Sequence, residues 1–241
     1  MPEDGAFHYS VPKTPPKGSK LITADQAEKI LLEQLETHQH PEEQVLWELV
    51  RLYSETGRQQ EALARAKQSL AIAKTPEQKA SCYLGLGCLM EQIENFEAAI
   101  KNYSEAMTLE PADNATWYFI HNNLGYCLNQ LGRFAEAEPY CRSAIEIEPR
   151  RCNAYKNLGI SLEGQGDYAD AANCYIKAVH ENASDPRALK HLEELAEKHP
   201  AVTVDVPEFD AKLSDCRTAV KKAAEAWDQT LAERARNAAD G

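Results

Sequence analysis

The chain has 241 residues, 43% of them hydrophobic, and carries a formal net charge of −12 from 38 acidic and 26 basic side chains. That length allows one or two domains. The acidic balance argues against nucleic acid or an anionic membrane as the main partner, since both are polyanions, and no run of about 18 apolar residues is present to cross a bilayer.

Met1 to Lys20 holds Pro2, Pro12, Pro15, Pro16, Gly5 and Gly18 with few large apolar side chains. Such a stretch buries too little surface to fold, so residues 1–20 are expected as a disordered arm. It has no basic-then-apolar leader pattern, which leads us to expect a cytoplasmic location. Thr23 with Gln26 predicts a capping box. The helix it opens runs to about Thr37, with Ile30, Leu31 and Leu35 on one side. Pro41 suits the first turn of the helix after it.

Beyond this point the sequence repeats. Leu124-Gly125 and Leu158-Gly159 are 34 residues apart, as are Gly132 and Gly166, Ala137 and Ala171, and Ala144 and Ala178. Leu124 with Leu128, and Leu158 with Leu162, make a stripe on one helical face. Gly132 and Gly166 then end that helix, because glycine accepts the left-handed C-terminal cap. The small Ala137, Ala144, Ala171 and Ala178 let a second helix lie close to the first. One such hairpin cannot bury its own stripe, so hairpins stack.

Four repeats are read, at about 43–75, 80–112, 118–151 and 152–185, within an array over 21–198. The first is degenerate, with Val50 after Leu49 where the others have Gly. The second has Glu94-Asn95 in place of the glycine between helices, and Asn is expected to supply the left-handed cap. Pro111 to Leu124 is 13 residues, whereas Pro149 to Leu158 is 9. Four residues are about one turn, so the first helix of the third repeat should be longer, capped by Asp113 or Asn114. A helix from Pro186 to about Lys198 continues the period through Leu189 and Leu192. Residues 199–206 read as a linker. Pro207 then opens an amphipathic helix over 207–238. Its stripe of Phe209, Leu213, Cys216, Val220, Ala223, Trp227 and Leu231 recurs mostly at four and three, as in a coiled coil. We expect the stripe to cap the last repeat, in a monomer. The alternatives are a homodimer through this helix and a helix folded into the chain's own groove.

Leu-Gly, a later Gly, Ala, an aromatic, Ala and then Pro resemble the tetratricopeptide repeat (TPR) family. The resemblance implies an all-α, right-handed superhelical solenoid of helix hairpins, here with a long C-terminal helix. It also implies a non-enzymatic adaptor that binds an extended protein or peptide segment in a concave groove lined by first helices. At 100° per residue, Phe119, Asn122, Asn123 and Tyr126 share one face. The matching set one repeat on includes Asn153, Lys156 and Asn157, followed by Arg187 and Lys190. The preceding set contains Leu84 with Ser81, Gly85 and Cys88. Asn123 and Asn157 resemble the asparagine ladder of TPR peptide binders, since a side-chain amide can meet a peptide backbone of any sequence. The carboxylate clamp of chaperone-binding TPR domains is matched only by Asn157 and Arg187. Tyr83 to Ala106 also resembles secretion chaperones that hold an apolar client. That role and a self-assembling scaffold are the alternative functions.

No phosphate loop, zinc motif or nucleophile motif is found, so no catalytic residue, cofactor or metal is expected. The seven cysteines show no CxxC spacing and read as small fillers of helix interfaces. His38 and His40 read as solvated.

Overall fold

Several helix ends follow local chemistry in the computed structural model, which describes residues 23–38 and 40–239, with side chains up to 233. The expected arm lies outside the described residues. Thr23 and Gln26 form the reciprocal capping box of α1 (Ala24–Thr37), with the Gln26 amide donating to Thr23 Oγ1 at 3.3 Å. Then come α2 (Glu42–Glu55), α3 (Gln59–Ile72), α4 (Pro76–Gln92), α5 (Phe96–Thr108) and α6 (Asn114–Gln130). They are followed by α7 (Phe134–Ile147), α8 (Cys152–Gln165), α9 (Tyr168–Glu181), α10 (Arg187–Lys198), α11 (Val202–Asp205) and α12 (Phe209–Ala239). No strand occurs among the described residues. The fold is all-α and built from the helix hairpins that the period predicts.

Gly132 and Gly166 sit at φ 71° and 90°, as left-handed caps require. In the second repeat the corresponding residue is Glu94, at φ 57°, and not Asn95. Asn95 is needed elsewhere: its Oδ1 accepts from the Ala98 amide at 3.2 Å and caps the start of α5. A non-glycine residue in that region carries a steric cost. The lengthened α6 is present with 17 residues against 14 in α8. Asp113 Oδ2 accepts from the Thr116 amide at 2.8 Å at its start.

The chain divides after Cys127 into two units. Unit 1 packs α1 on α2 and pairs α2 with α3 and α4 with α5. Its core joins Leu31, Val45, Leu49, Tyr53, Ala62, Ala66, Leu86 and Leu89. Arg58 ties α1 down, reaching Glu28 at 2.5 Å while stacking over the Tyr53 ring. Unit 2 stacks α7, α8, α9 and α10, and its core runs on from Leu158, Leu162, Tyr175 and Leu192 into Val202, Phe209 and Leu213.

The segment expected as a linker, 199–206, is structured. Val202 and Val206 are four apart and both buried, which folds the stretch into the single turn of α11. His199 stacks on Tyr168 with ring centroids 3.7 Å apart. Pro207 precedes α12 instead of opening it; Glu208, at φ 56°, makes the turn. Phe209, Leu213 and Cys216 are buried against the last repeat, and Arg217 reaches Glu193 of α10 at 2.6 Å. Burial of the stripe stops at the half-buried Val220 and Ala223, leaving Trp227 and Leu231 49% and 46% exposed. A helix of 31 residues simply outruns α9 and α10, which have 14 and 12, since each residue adds about 1.5 Å.

Candidate functional site

The repeat is organised around a tyrosine that enters where a glycine leaves room. A Cβ on Gly87 would overlap the Tyr103 ring, and one on Gly159 would overlap Tyr175. Each tyrosine is fully buried up to its hydroxyl, which then needs a partner. Tyr103 Oη donates to Glu91 at 2.5 Å, and Tyr175 Oη donates to Glu163 at 2.7 Å. Glu91 and Glu163 stand four residues after their glycines, one helical turn along the same face. In the repeat between them, the corresponding residues are Asn129 and Cys141.

The helix that follows in each unit closes this seam. Asn123, 3% exposed, donates to Tyr103 Oη at 3.3 Å and lies 3.7 Å from Cys88 Sγ. Asn122 donates to Asn123 Oδ1 at 3.0 Å, and Cys127 Sγ lies 3.5 Å from Glu91. The position read as a ligand-facing amide is therefore turned into the seam. Leu84 is buried as well. Phe119 and Tyr126 are half-buried and present ring surface, Tyr126 with Phe96 edge-on at 6.1 Å. Trp47, half-buried on α2, lies directly over Gly85, where a Cβ would overlap its ring. Trp47 is not among the site residues expected from the sequence. Its signal was the glycine at the position that Asn123 and Asn157 occupy in later repeats.

In unit 2, Asn157 is likewise 3% exposed. Its carbonyl accepts from Asn129 Nδ2 at 2.8 Å, and Ser161 Oγ donates to Asn129 Oδ1 at 2.9 Å. Asn153 is half-buried and accepts from Arg187 Nη2 at 3.5 Å. Arg187 grips Asp185 with two nitrogens, at 2.8 and 2.6 Å. Burial alone would raise the Asp185 carboxyl, but the Arg187 side-chain and backbone bonds outweigh it and hold it below its usual range. Lys156 is buried beside this pair, and Lys190 is exposed with Glu194 3.9 Å away. The basic end thus comes with its own carboxylates. His191, at the repeat position of Asn123 and Asn157, stacks on Tyr175 at 5.3 Å, and burial lowers its pKa.

All seven cysteines are thiols, five of them buried. Burial pushes the Cys141 thiol to about 12 and Cys174 to about 11, and raises Cys82, Cys127, Cys152 and Cys216. Such thiols stay protonated, and the thiolate is the reactive form. Among the described residues no group of His, Cys, Asp and Glu is arranged to hold a metal ion, and no helix is long and apolar enough to cross a membrane.

Three models described as tetratricopeptide repeat match residues 80–113, 118–179 and 156–211. Among curated relatives, human tetratricopeptide repeat protein 7A is 34% identical over 100 residues, covering 42% of this chain and 11% of the relative. The chain spans only 11% to 19% of the length of the first three such relatives. Among solved structures, BtubC from P. vanneervenii superposes with a TM-score of 0.63 at 20% identity, over 85% of this chain and 91% of that one. YrrB, titled a TPR protein with an unusual peptide-binding site, gives 0.55 at 18% identity, over 86% and 100%.

Proposed function

The chain belongs to the tetratricopeptide repeat family, and from that premise we propose that it is a non-enzymatic, cytoplasmic adaptor that binds an extended peptide segment on its first helices. The observation that carries the reading is a set of partly exposed aromatic and polar side chains in repeat register: Phe119 and Tyr126 in unit 1, and Asn153, Arg187 and Lys190 in unit 2. Leu84, Asn122 and Asn123 in unit 1, and Lys156 and Asn157 in unit 2, are buried, each within its own unit. YrrB, which shares the fold, is itself titled as a peptide binder.

Aromatic side chains dominate binding energy at such surfaces, so unit 1 should take apolar residues at Trp47, Phe119 and Tyr126. Arg187 offers hydrogen bonds with its charge already met by Asp185, so unit 2 should select polar backbone and amide groups more than acidic ones. The test is to pan a displayed random-peptide library on the full chain and titrate a selected peptide calorimetrically. Tyr126→Ala should weaken binding by about 1–3 kcal/mol, with the helical spectrum unchanged. Failure to select any peptide, or equal affinity for the variant, would count against the reading. Self-assembly is the second reading, favoured by the half-exposed Trp227 and Leu231 on α12. Sedimentation of the full chain as a dimer would promote it.

A further inference from the structure

We propose that the α4–α5–α6 seam of unit 1 is a proton-held joint, closed while the Glu91 carboxyl carries its proton and loosened when that proton leaves. Glu91 is 8% exposed. The groups that face it come from three helices. Cys88 lies on its own α4, Tyr103 on α5, and Cys127 on α6, with Asn123 behind the Tyr103 hydroxyl. None of them is a cation. The Tyr103 and Cys127 hydrogens both go to Oε1, so a proton held by the carboxyl would sit on Oε2.

A buried carboxylate without a cation is costly, and the group takes a proton instead. Burial raises Glu91 from 4.5 to about 7, against two hydrogen bonds that favour the charged form. The protein therefore holds this proton near neutral pH, where the unfolded chain has already released it. The contribution of Glu91 to stability is full below about pH 4.5 and is lost as pH rises through about 7. α6 also carries Phe119 and Tyr126, so a loosened seam would disturb the surface assigned above to peptide. The proposal concerns the seam alone and holds whether or not a peptide binds there.

Cys127 is buried in the seam and gives a direct reporter. The full chain would be labelled with N-ethylmaleimide between pH 5.5 and 8.5, with each cysteine resolved by mass spectrometry. Rates would be normalised to the same thiols in denaturant. Relative to Glu91→Gln, the wild-type opening constant at Cys127 should rise by about 30-fold across that range, while Cys141 in unit 2 shows no such difference. Parallel curves for the two proteins at Cys127 would overturn the proposal. If Glu91→Gln does not fold, the carbon-13 carboxyl resonance of Glu91 in the wild type decides instead. Titration near 7 supports the joint, and titration in the ordinary carboxylate range overturns it.

Discussion

The hairpins α4–α5 and α8–α9 carry the same device in different surroundings. In both, a glycine admits a tyrosine, and its hydroxyl finds a glutamate one turn beyond that glycine. In unit 1, α6 covers the pair with Asn123 and Cys127, and Glu91 is sealed in. In unit 2, α10 lays the flat ring of His191 on Tyr175, and Glu163 stays half-buried. The repeat fixes the pair, whereas the helix that follows decides how far water reaches it. Positions that look equivalent by period therefore differ in electrostatics.

Removing the tyrosine is the strongest way to break the comparison. Truncating a buried aromatic costs about 3–5 kcal/mol, so both Tyr103→Ala and Tyr175→Ala should lower the urea midpoint markedly. Tyr103→Ala should cost more, because it takes a donor from buried Glu91 and an acceptor from Asn123, whereas Glu163 can turn to water. Equal losses would mean that the seal has no energetic weight. A smaller effect comes from the glycines. Gly87→Ala and Gly159→Ala should each cost about 1–3 kcal/mol through overpacking against the ring. A neutral result in circular-dichroism melts would show that the tyrosines have room to move aside.

The fold was legible because its signals are core positions, and a core repeats with its architecture. Leu158, Leu162, Ala171 and Tyr175 are buried where the period puts them. The cap of α1 and the extra turn of α6 were legible for the same local reasons. Side-chain direction next to the core was not. Asn123 stands about 100° from Leu124 on the helical wheel, on the polar face, and nothing local shows that Tyr103, 20 residues upstream, reaches it. Glu91 was overlooked as one more charge in an acidic chain. Its register with Glu163, with a tyrosine twelve residues on in both cases, was the available signal. The turn at 202–205 is not legible locally, because the burial of Val202 and Val206 only makes sense once the end of the array exposes a surface to cover.

The finest test of the comparison is the sign of each seam's response to pH. Glu91 is an acid raised by burial, so unit 1 should loosen as pH rises toward and through about 7. His191 is a base lowered by burial and by Lys156, with Glu163 and Glu194 opposing that shift without overcoming it. The unfolded chain takes up this second proton first. The contribution of His191 is therefore full above its ordinary 6.5 and is lost as pH falls through its lower folded value. Acidification from pH 7.5 to 5 should thus tighten α4–α6 while it loosens α9–α10. Hydrogen exchange read by mass spectrometry on peptides from the two regions, corrected for intrinsic rates, resolves the two directions in one sample. His191→Gln should flatten only the α9–α10 trend, and Glu91→Gln only the other. Trends of the same sign in both regions would show that the net charge of −12, and not the residues at each seam, governs the response.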